Sequence, residues 1–323
     1  MRAIVHERYG APEEVFQLRD IPEPLPGRGE VLVRVSAASV NAGDASVTLG
    51  MPYLVRLAYG ITRPRNPIRG SDIAGTVVAV GDEVFDLQPG DEVFGKGEGA
   101  FAEMVVARPE ALARKPATVT FEEAAALPVA GLTALQGLRN AGTQEGGRVL
   151  VNGASGGVGT FAIQVAKALG AEVTAVCSSG NVDTARSLGA ARVVDYTLED
   201  FTETDTRYDV LFDNAGSRNL ADTRSVIARG GALVLNHGNL DSRWVASLPR
   251  MARAKLSSPS ASQRTLLNVQ TWDREDLAEL ARLVAERSVT PMIDRTYPLE
   301  QVPEAVAYVG QGHARGKVTI LIG

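Results

Sequence analysis

The stretch Arg148–Val173, RVLVNGASGGVGTFAIQVAKALGAEV, decides how the rest of the chain is read. Its opening, Arg148 to Ala154, is a short Val/Leu-rich run suited to a strand buried on both faces. It leads straight into Gly156, Gly157 and Gly159. Val158, Phe161, Ala162, Val165 and Leu169 then recur at helical spacing until Gly170 stops the pattern. Strand, glycine turn and helix, with the strand EVTAVC behind them, make one βαβ unit, the setting in which a glycine turn holds a pyrophosphate. Gly156 and Gly157 let the backbone come close, the helix N-terminus offers N–H donors and a positive dipole end, and Ser155 adds a hydroxyl. Ser155, Gly156, Gly157 and Val158 are therefore candidate cofactor-binding residues. Ala154 stands where the common fingerprint has its first glycine, a departure softened by Gly153 one residue earlier.

Towards the C-terminus the alternation continues. Asn181 is placed as an N-cap before VDTARSLGA; RVVDY, DVLFDNAG and ALVLNHG read as strands, with NLADTRSVIARGG as a helix between the last two. Strands alternating with helices of this length predict a doubly wound parallel sheet. Leu248 to Gln270 has no clear period and reads as an irregular or helical surface segment. DREDLAELARLVAERS places Leu277, Leu280, Ala281 and Val284 on one helical face, with Asp273 and Asp276 spaced like a capping box, and KVTILIG reads as a last strand.

Towards the N-terminus the chain reads as β. EVLVRVSAASVN alternates Val31, Val33 and Val35 on one face, and short strands such as IAGTVVAVG and FAEMVVARP are punctuated by PEPLPGRG and LQPGDEVFG. That pattern predicts a barrel-like or sandwich-like β domain.

Bulk properties narrow the function. At 323 residues two domains are expected. A net charge of -5 argues against nucleic acid as the main partner, because such binding needs clustered Lys and Arg. No apolar run reaches the length of a membrane span, and His6, Glu7 and Arg8 interrupt the place of a signal peptide's apolar stretch. The single Cys177 makes no internal disulfide, so a cytoplasmic setting is expected; it reads as a small strand-end residue rather than a redox centre. His6, His237 and His313 are too scattered to supply a metal site.

The end of the second strand bears on the choice of nicotinamide. An NAD site places an acid there for the ribose 2′-hydroxyl. This strand ends in Cys177, Ser178, Ser179 and Gly180, with no acid. Ser178 and Ser179 would tolerate a 2′-phosphate and Arg186 could neutralise it, so NADPH is favoured, with NADH possible.

GSDIAGTVVAVG (Gly70 to Gly81), AALPVAGLTAL (Ala125 to Leu135), VNGASGGVG and SLGAARVVDY (Ser187 to Tyr196) stand in the order found in medium-chain dehydrogenase/reductases. The chain resembles that superfamily through to its closing GHARGKVTIL, and within it the quinone oxidoreductase branch. The resemblance implies an α/β protein with a GroES-like β domain over residues 1–120 and 271–323, and a Rossmann doubly wound parallel-sheet domain over 121–270. It implies a homodimer and an active site in the cleft between domains.

Zinc-dependent relatives hold catalytic zinc through a Cys in the region of Val40 to Asp44 and a His-Glu pair after the glycine at Gly70. Here those places carry Asn41, Gly43 and Asp44, then Ser71 and Asp72, so a zinc-independent enzyme is expected. Alcohol chemistry wants a Lewis acid or a Tyr/Lys pair, whereas hydride addition to a quinone or an α,β-unsaturated carbonyl spreads its charge into a conjugated oxygen. A small carbonyl or quinone substrate follows, with no nucleic acid and no membrane partner. Asn41, in SVNAGD, is the leading candidate donor; Asp44 is expected to order its loop rather than exchange protons. Tyr53, and after it Tyr59, are candidate proton donors. By resemblance, Thr133 lies at the nicotinamide end and Tyr196 near the adenosine. Asn214 to Gly216 and Asn236 to Gly238 follow successive strands where ligands sit, with His237 and Gly238 making backbone contacts. Family members often carry Arg where this chain has Gly180. The alternatives are a zinc-free alcohol dehydrogenase, a dedicated biosynthetic enoyl reductase, or a non-catalytic NADPH-binding sensor.

Overall fold

The computed structural model describes residues 1–236 and 262–323. Two compact units emerge, one of Met1–Leu132 with Thr271–Gly323, the other of Thr133–Gln270.

The first unit is mainly antiparallel β. Strands β1 (Arg2–Val5) and β2 (Gln17–Asp20), with the short helix α1 (Pro12–Val15) between them in the chain, pair with each other. The larger sheet runs β14 (Ile293–Pro298), β15 (Lys317–Leu321), β3 (Val31–Val40), β4 (Asp72–Val80), β5 (Glu92–Lys96), β7 (Leu112–Arg114), with β6 (Met104–Ala107) also on β3. The valines expected on one face of β3 are buried, but so are Leu32 between them and Ala37 and Ala38 beyond them, because this strand is covered on both sides. Its core joins Val31, Val33, Val35, Ile73, Val77, Phe101, Val318 and Ile320. Helix α2 (Ala42–Leu49) follows β3 directly, and α3 (Val55–Tyr59) comes after it. Neither β14 nor the helix over Val302–Gly310 was foreseen.

The first boundary falls at Leu132 rather than 120. Helix α4 (Phe121–Ala125), capped by Thr120, packs on β3, β4, β5 and β15 and so belongs with the β unit. Helix α5 (Pro128–Asn140) follows it.

The second unit is a six-stranded, wholly parallel sheet: β8 (Arg148–Asn152), β9 (Glu172–Cys177), β10 (Arg192–Asp195), β11 (Tyr208–Asp213), β12 (Ile227–Leu235) and β13 (Arg264–Leu267). Its order, β10-β9-β8-β11-β12-β13, is the 3-2-1-4-5-6 order of a doubly wound fold, with the reversal between β8 and β11. Helix α6 (Gly157–Ala168) links β8 to β9, with Phe161, Ala162 and Val165 buried as the helical spacing requires.

Three local expectations need correcting. Between β11 and β12 the helix α8 spans only Leu220–Ser225, and the chain is already strand at Ile227, where a buried β-branched residue pairs with Tyr208. Part of the segment expected as irregular or helical forms β13; its half-exposed edge position leaves no continuous apolar run to read. Asn181 does precede α7 (Val182–Ser187), but its amide donates to Ser178 Oγ at 3.0 Å instead of capping the helix.

Candidate functional site

In the second unit the strand ends converge as the glycine turn requires. Gly153, with φ of +78°, makes the sharp turn out of β8, the task expected one residue later. Ala154 is buried and donates its N–H to Val176 O at 3.0 Å. The turn is closed against α6: a side chain at Gly159 would overlap the Gly153 carbonyl. A side chain at Gly153 would meet Asn214 Cβ and Ala215 Cβ, at 3.2 and 3.3 Å. Ser155, Gly156, Gly157 and Val158 thus sit at the α6 N-terminus, beside the switch point between β8 and β11. Asn152 Nδ2 donates to Asp213 Oδ1 at 2.8 Å, and Gly216 N to the same oxygen at 2.8 Å, fixing the two strand ends together. Asn214 Oδ1 accepts from Asn236 Nδ2 at 2.8 Å, while its own Nδ2 is buried without a partner among the described residues.

Ser178, Ser179 and Tyr196 come together at the ends of β9 and β10, where Tyr196 N donates to Cys177 O. Tyr196 is exposed. The Ser179 hydroxyl donates to Asp195 Oδ2 at 2.5 Å, and with Thr197 holds that carboxyl below its usual range. Asp195 is an acid the sequence reading missed, because it reaches Ser179 from the neighbouring strand. Arg186 is 63% exposed and lies 3.5 Å from Asp183. Thr133 Oγ1 donates to Gln270 Oε1 at 2.6 Å and its carbonyl accepts from Asn268 Nδ2 at 2.9 Å. Burial, with Asp195 nearby, pushes the Cys177 thiol up, away from the reactive thiolate. His237 and Gly238 lie outside the described residues.

In the first unit a polar centre is buried among β3, β4 and β15. Asp72, fully buried, has Oδ2 3.0 Å from Ser39 Oγ, 3.0 Å from Asn41 Nδ2 and 3.4 Å from Lys317 Nζ. Its Oδ1 accepts from Ser71 Oγ and from Val129 N, both at 3.3 Å, at the positive N-terminal end of α5. Lys317 Nζ, buried, also donates to Asn41 Oδ1 at 2.6 Å and to Val40 O at 3.3 Å, so all three of its protons have acceptors. Burial pulls the Lys317 ammonium down, and the charges of Asp72 and Asp44 oppose that. Asp44 accepts the Asn41 N–H at 2.8 Å and orders the start of α2. Burial pushes its carboxyl up to about 6, against the pull of the Asn41 N–H.

Asn41 is therefore held at backbone and side chain alike, half-buried at the end of β3. Tyr53 does not join it: its ring stacks on Arg56, 4.9 Å from the guanidinium, which also covers Tyr9 at 4.6 Å. Tyr59 stacks on Arg69 at 5.0 Å. Lys317, the partner of Asn41, was not among the residues singled out in the sequence. The signal was there: a lysine opening the apolar run VTILIG must find an acceptor once that strand is buried.

A parallel sheet with a nucleotide-type turn at its switch point and, in the other unit, a β sheet with a buried polar centre define a two-unit oxidoreductase architecture, and the sequence comparisons agree. The chain belongs to the medium-chain dehydrogenase/reductase superfamily, in its quinone oxidoreductase-like branch. Residues 27–117 match the alcohol dehydrogenase GroES-like domain, and residues 188–320 match the family described as zinc-binding dehydrogenase. It is 32% identical to the mouse mitochondrial NAD(P)H oxidoreductase RTN4IP1 over 99% of this chain and 89% of that protein. It is also 32% identical to the 2-methylene-furan-3-one reductase of Solanum lycopersicum, over 99% of this chain and 79% of that one. The solved quinone oxidoreductase from Coxiella burnetii superposes with a TM-score of 0.88 at 29% identity, over 100% of this chain and 99% of that one. No described helix is long and apolar enough to cross a membrane.

Proposed function

We propose that this chain is an NADPH-dependent reductase that delivers hydride to a quinone or an α,β-unsaturated carbonyl without zinc. The observation that carries the reading is the buried ammonium of Lys317, 2.6 Å from Asn41 Oδ1 and 3.4 Å from Asp72 Oδ2. At the positions where zinc-dependent relatives place Cys, His and Glu, this chain has an amide, a hydroxyl and one carboxylate already paired with a cation. That donor set does not fit zinc, which takes thiolate, imidazole and carboxylate ligands and would be repelled by the neighbouring charge. The described residues hold no group of three or more His, Cys, Asp or Glu that could bind a metal. Chemistry at Asn41 is then limited to hydrogen bonding, which suffices where negative charge spreads through a conjugated system.

The residues fit a dinucleotide. Gly153 and Gly159 leave no room for side chains at the turn, and the buried Asn214 Nδ2 beside it has no partner among the described residues. Ser155, Gly156, Gly157 and Val158 would hold the pyrophosphate, Tyr196 the adenosine, and Thr133, Asn214, His237 and Gly238 the nicotinamide end. Ser178 and Arg186 would take the 2′-phosphate, joined by Ser179 only once its hydroxyl turns from Asp195. The bound dinucleotide supplies the hydride; the chain orients the acceptor and steadies charge on its oxygen. Tyr53 remains the candidate donor of the proton. A cytoplasmic setting suits the lone, buried Cys177, and a homodimer suits the edge strand β13, whose Leu267 and neighbouring Val269 are exposed.

The test is oxidation of NADPH and of NADH by the purified chain in chelator, with 1,4-benzoquinone and with but-3-en-2-one as acceptors. Turnover of either acceptor, faster with NADPH, supports the reading. NADPH binding without reduction of either would replace it with a sensing role.

A further inference from the structure

The contacts of Asn41 are more specific than a merely structural cluster requires. A lysine ammonium can only donate and an ionised carboxylate can only accept. With Lys317 on one side and Asp72 on the other, the Asn41 amide has a single orientation: Oδ1 faces the lysine and Nδ2 faces the aspartate. One Nδ2 hydrogen is used by Asp72, and the other has no partner among the described residues. Asn41 is half-buried, at the boundary between the buried cluster and solvent. The backbone cannot swing away either, since the Asn41 N–H is held by Asp44.

We propose that Lys317 is a positioning residue for the reaction: it locks the Asn41 amide as a pure hydrogen-bond donor towards the acceptor's oxygen. It also polarises that amide, because a cation on Oδ1 draws electron density from Nδ2 and strengthens the remaining N–H as a donor. The acceptor class follows. A group bound here presents an acceptor oxygen, a ketone or quinone carbonyl, and receives no proton from Asn41; the proton that completes reduction comes from elsewhere, from water or Tyr53. An alcohol substrate that must lose its hydroxyl proton finds no base at this amide: its Oδ1 already accepts from the Lys317 ammonium, and a neutral amide oxygen does not take up a proton. The inference rests on the reading of the chain as a carbonyl or quinone reductase with Asn41 at the acceptor oxygen.

The test is a double-mutant cycle on the full chain, with NADPH and 1,4-benzoquinone. Asn41→Ala and Lys317→Met should each lower kcat about 100-fold, the scale of losing one oriented donor to a developing oxyanion. The NADPH dissociation constant should stay within about twofold, and the double variant should be no slower than either single one. Lys317→Arg, which keeps charge and donors, should recover much of the loss. Multiplying losses, or a Lys317→Met variant with wild-type kcat, would overturn the proposal. Lys317→Met strands the buried Asp72 charge and lowers stability, so Lys317→Met/Asp72→Asn, which removes both charges, is measured beside it and should remain slow while refolding normally. The amide can also be read without turnover. In 15N-labelled protein the two Asn41 side-chain protons, assigned by their loss in Asn41→Ala, should be widely separated and should draw together in Lys317→Met. Unchanged signals would overturn the positioning role. A wild type that reduces neither acceptor yet shows this spectral change would count against the reductase reading alone.

Discussion

At the glycine turn of the second unit the geometry is set by backbone: Gly153 turns, Gly159 lets α6 approach the Gly153 carbonyl, and the α6 N-terminus presents N–H groups. At Asn41 in the first unit it is set by side chains, Asn41 just after β3, Asp72 on β4 and Lys317 on β15, which lie far apart in sequence. The first kind of site is robust to most side-chain changes and fragile to added volume. The second is fragile to the loss of either charge, since removing Lys317 or Asp72 leaves the other ion buried with neutral partners alone.

The largest effect should come from filling the backbone site. Gly159→Val puts a branched side chain against the Gly153 carbonyl, so the turn must open; NADPH binding, followed by nucleotide fluorescence, should fall beyond about 100-fold with far-ultraviolet dichroism nearly unchanged. Binding within a few-fold of wild type would show that the turn is not the cradle. Next, in the side-chain site, Asn41→Ala should lose about 100-fold in kcat while NADPH affinity holds, a split seen in steady-state kinetics.

Two buried groups of the first unit sharpen the contrast through pH. Asp44 titrates near 6, above its value in the unfolded chain, so its contribution to stability is full below about pH 4 and is lost as the pH rises through about 6. His6, packed on Phe16 and near Arg69, is pushed down to about 4 by burial and then by that arginine. Its contribution is full above about pH 6.5 and is lost as the pH falls through about 4. The two nearly cancel, each on the order of 3 kcal/mol before coupling among Asp44, Arg69, Asp72 and Lys317. In urea unfolding between pH 4.5 and 6.5, Asp44→Asn should gain about 2 kcal/mol relative to wild type as pH rises, and His6→Phe should lose about as much. Equal slopes in all three proteins would contradict these assignments.

These contrasts also explain what the sequence made legible. The turn was readable because a local pattern, strand then glycines then helix, forces a local geometry; even the displaced fingerprint at Gly153 and Ala154 was visible. Asn41 was readable from its place after a strand. Lys317 and Asp195 were not recognised as site residues, because pairing across strands decides what they touch, and strand order is not written locally. Strand β13 was hidden for a related reason, since an edge strand needs little hydrophobic patterning.

Smaller effects should separate the two ends of the nucleotide site. Asn214→Ala removes a buried donor beside the turn and should weaken NADPH about tenfold by titration. Arg186→Ala, on an exposed side chain, should change the NADPH to NADH preference by only about two- to fourfold in kcat/KM. A larger loss from Arg186 than from Asn214 would move the weight of cofactor recognition to the 2′-phosphate.

The most direct measurement of metal-free hydride transfer uses NADPH carrying deuterium at the transferable C4 position, with but-3-en-2-one in excess chelator. Deuterium on the carbon β to the carbonyl, with a solvent proton on the α carbon and a rate unmoved by added zinc, is the expected result. A reaction that stops in chelator and returns with zinc, or a saturated product without deuterium, would contradict it.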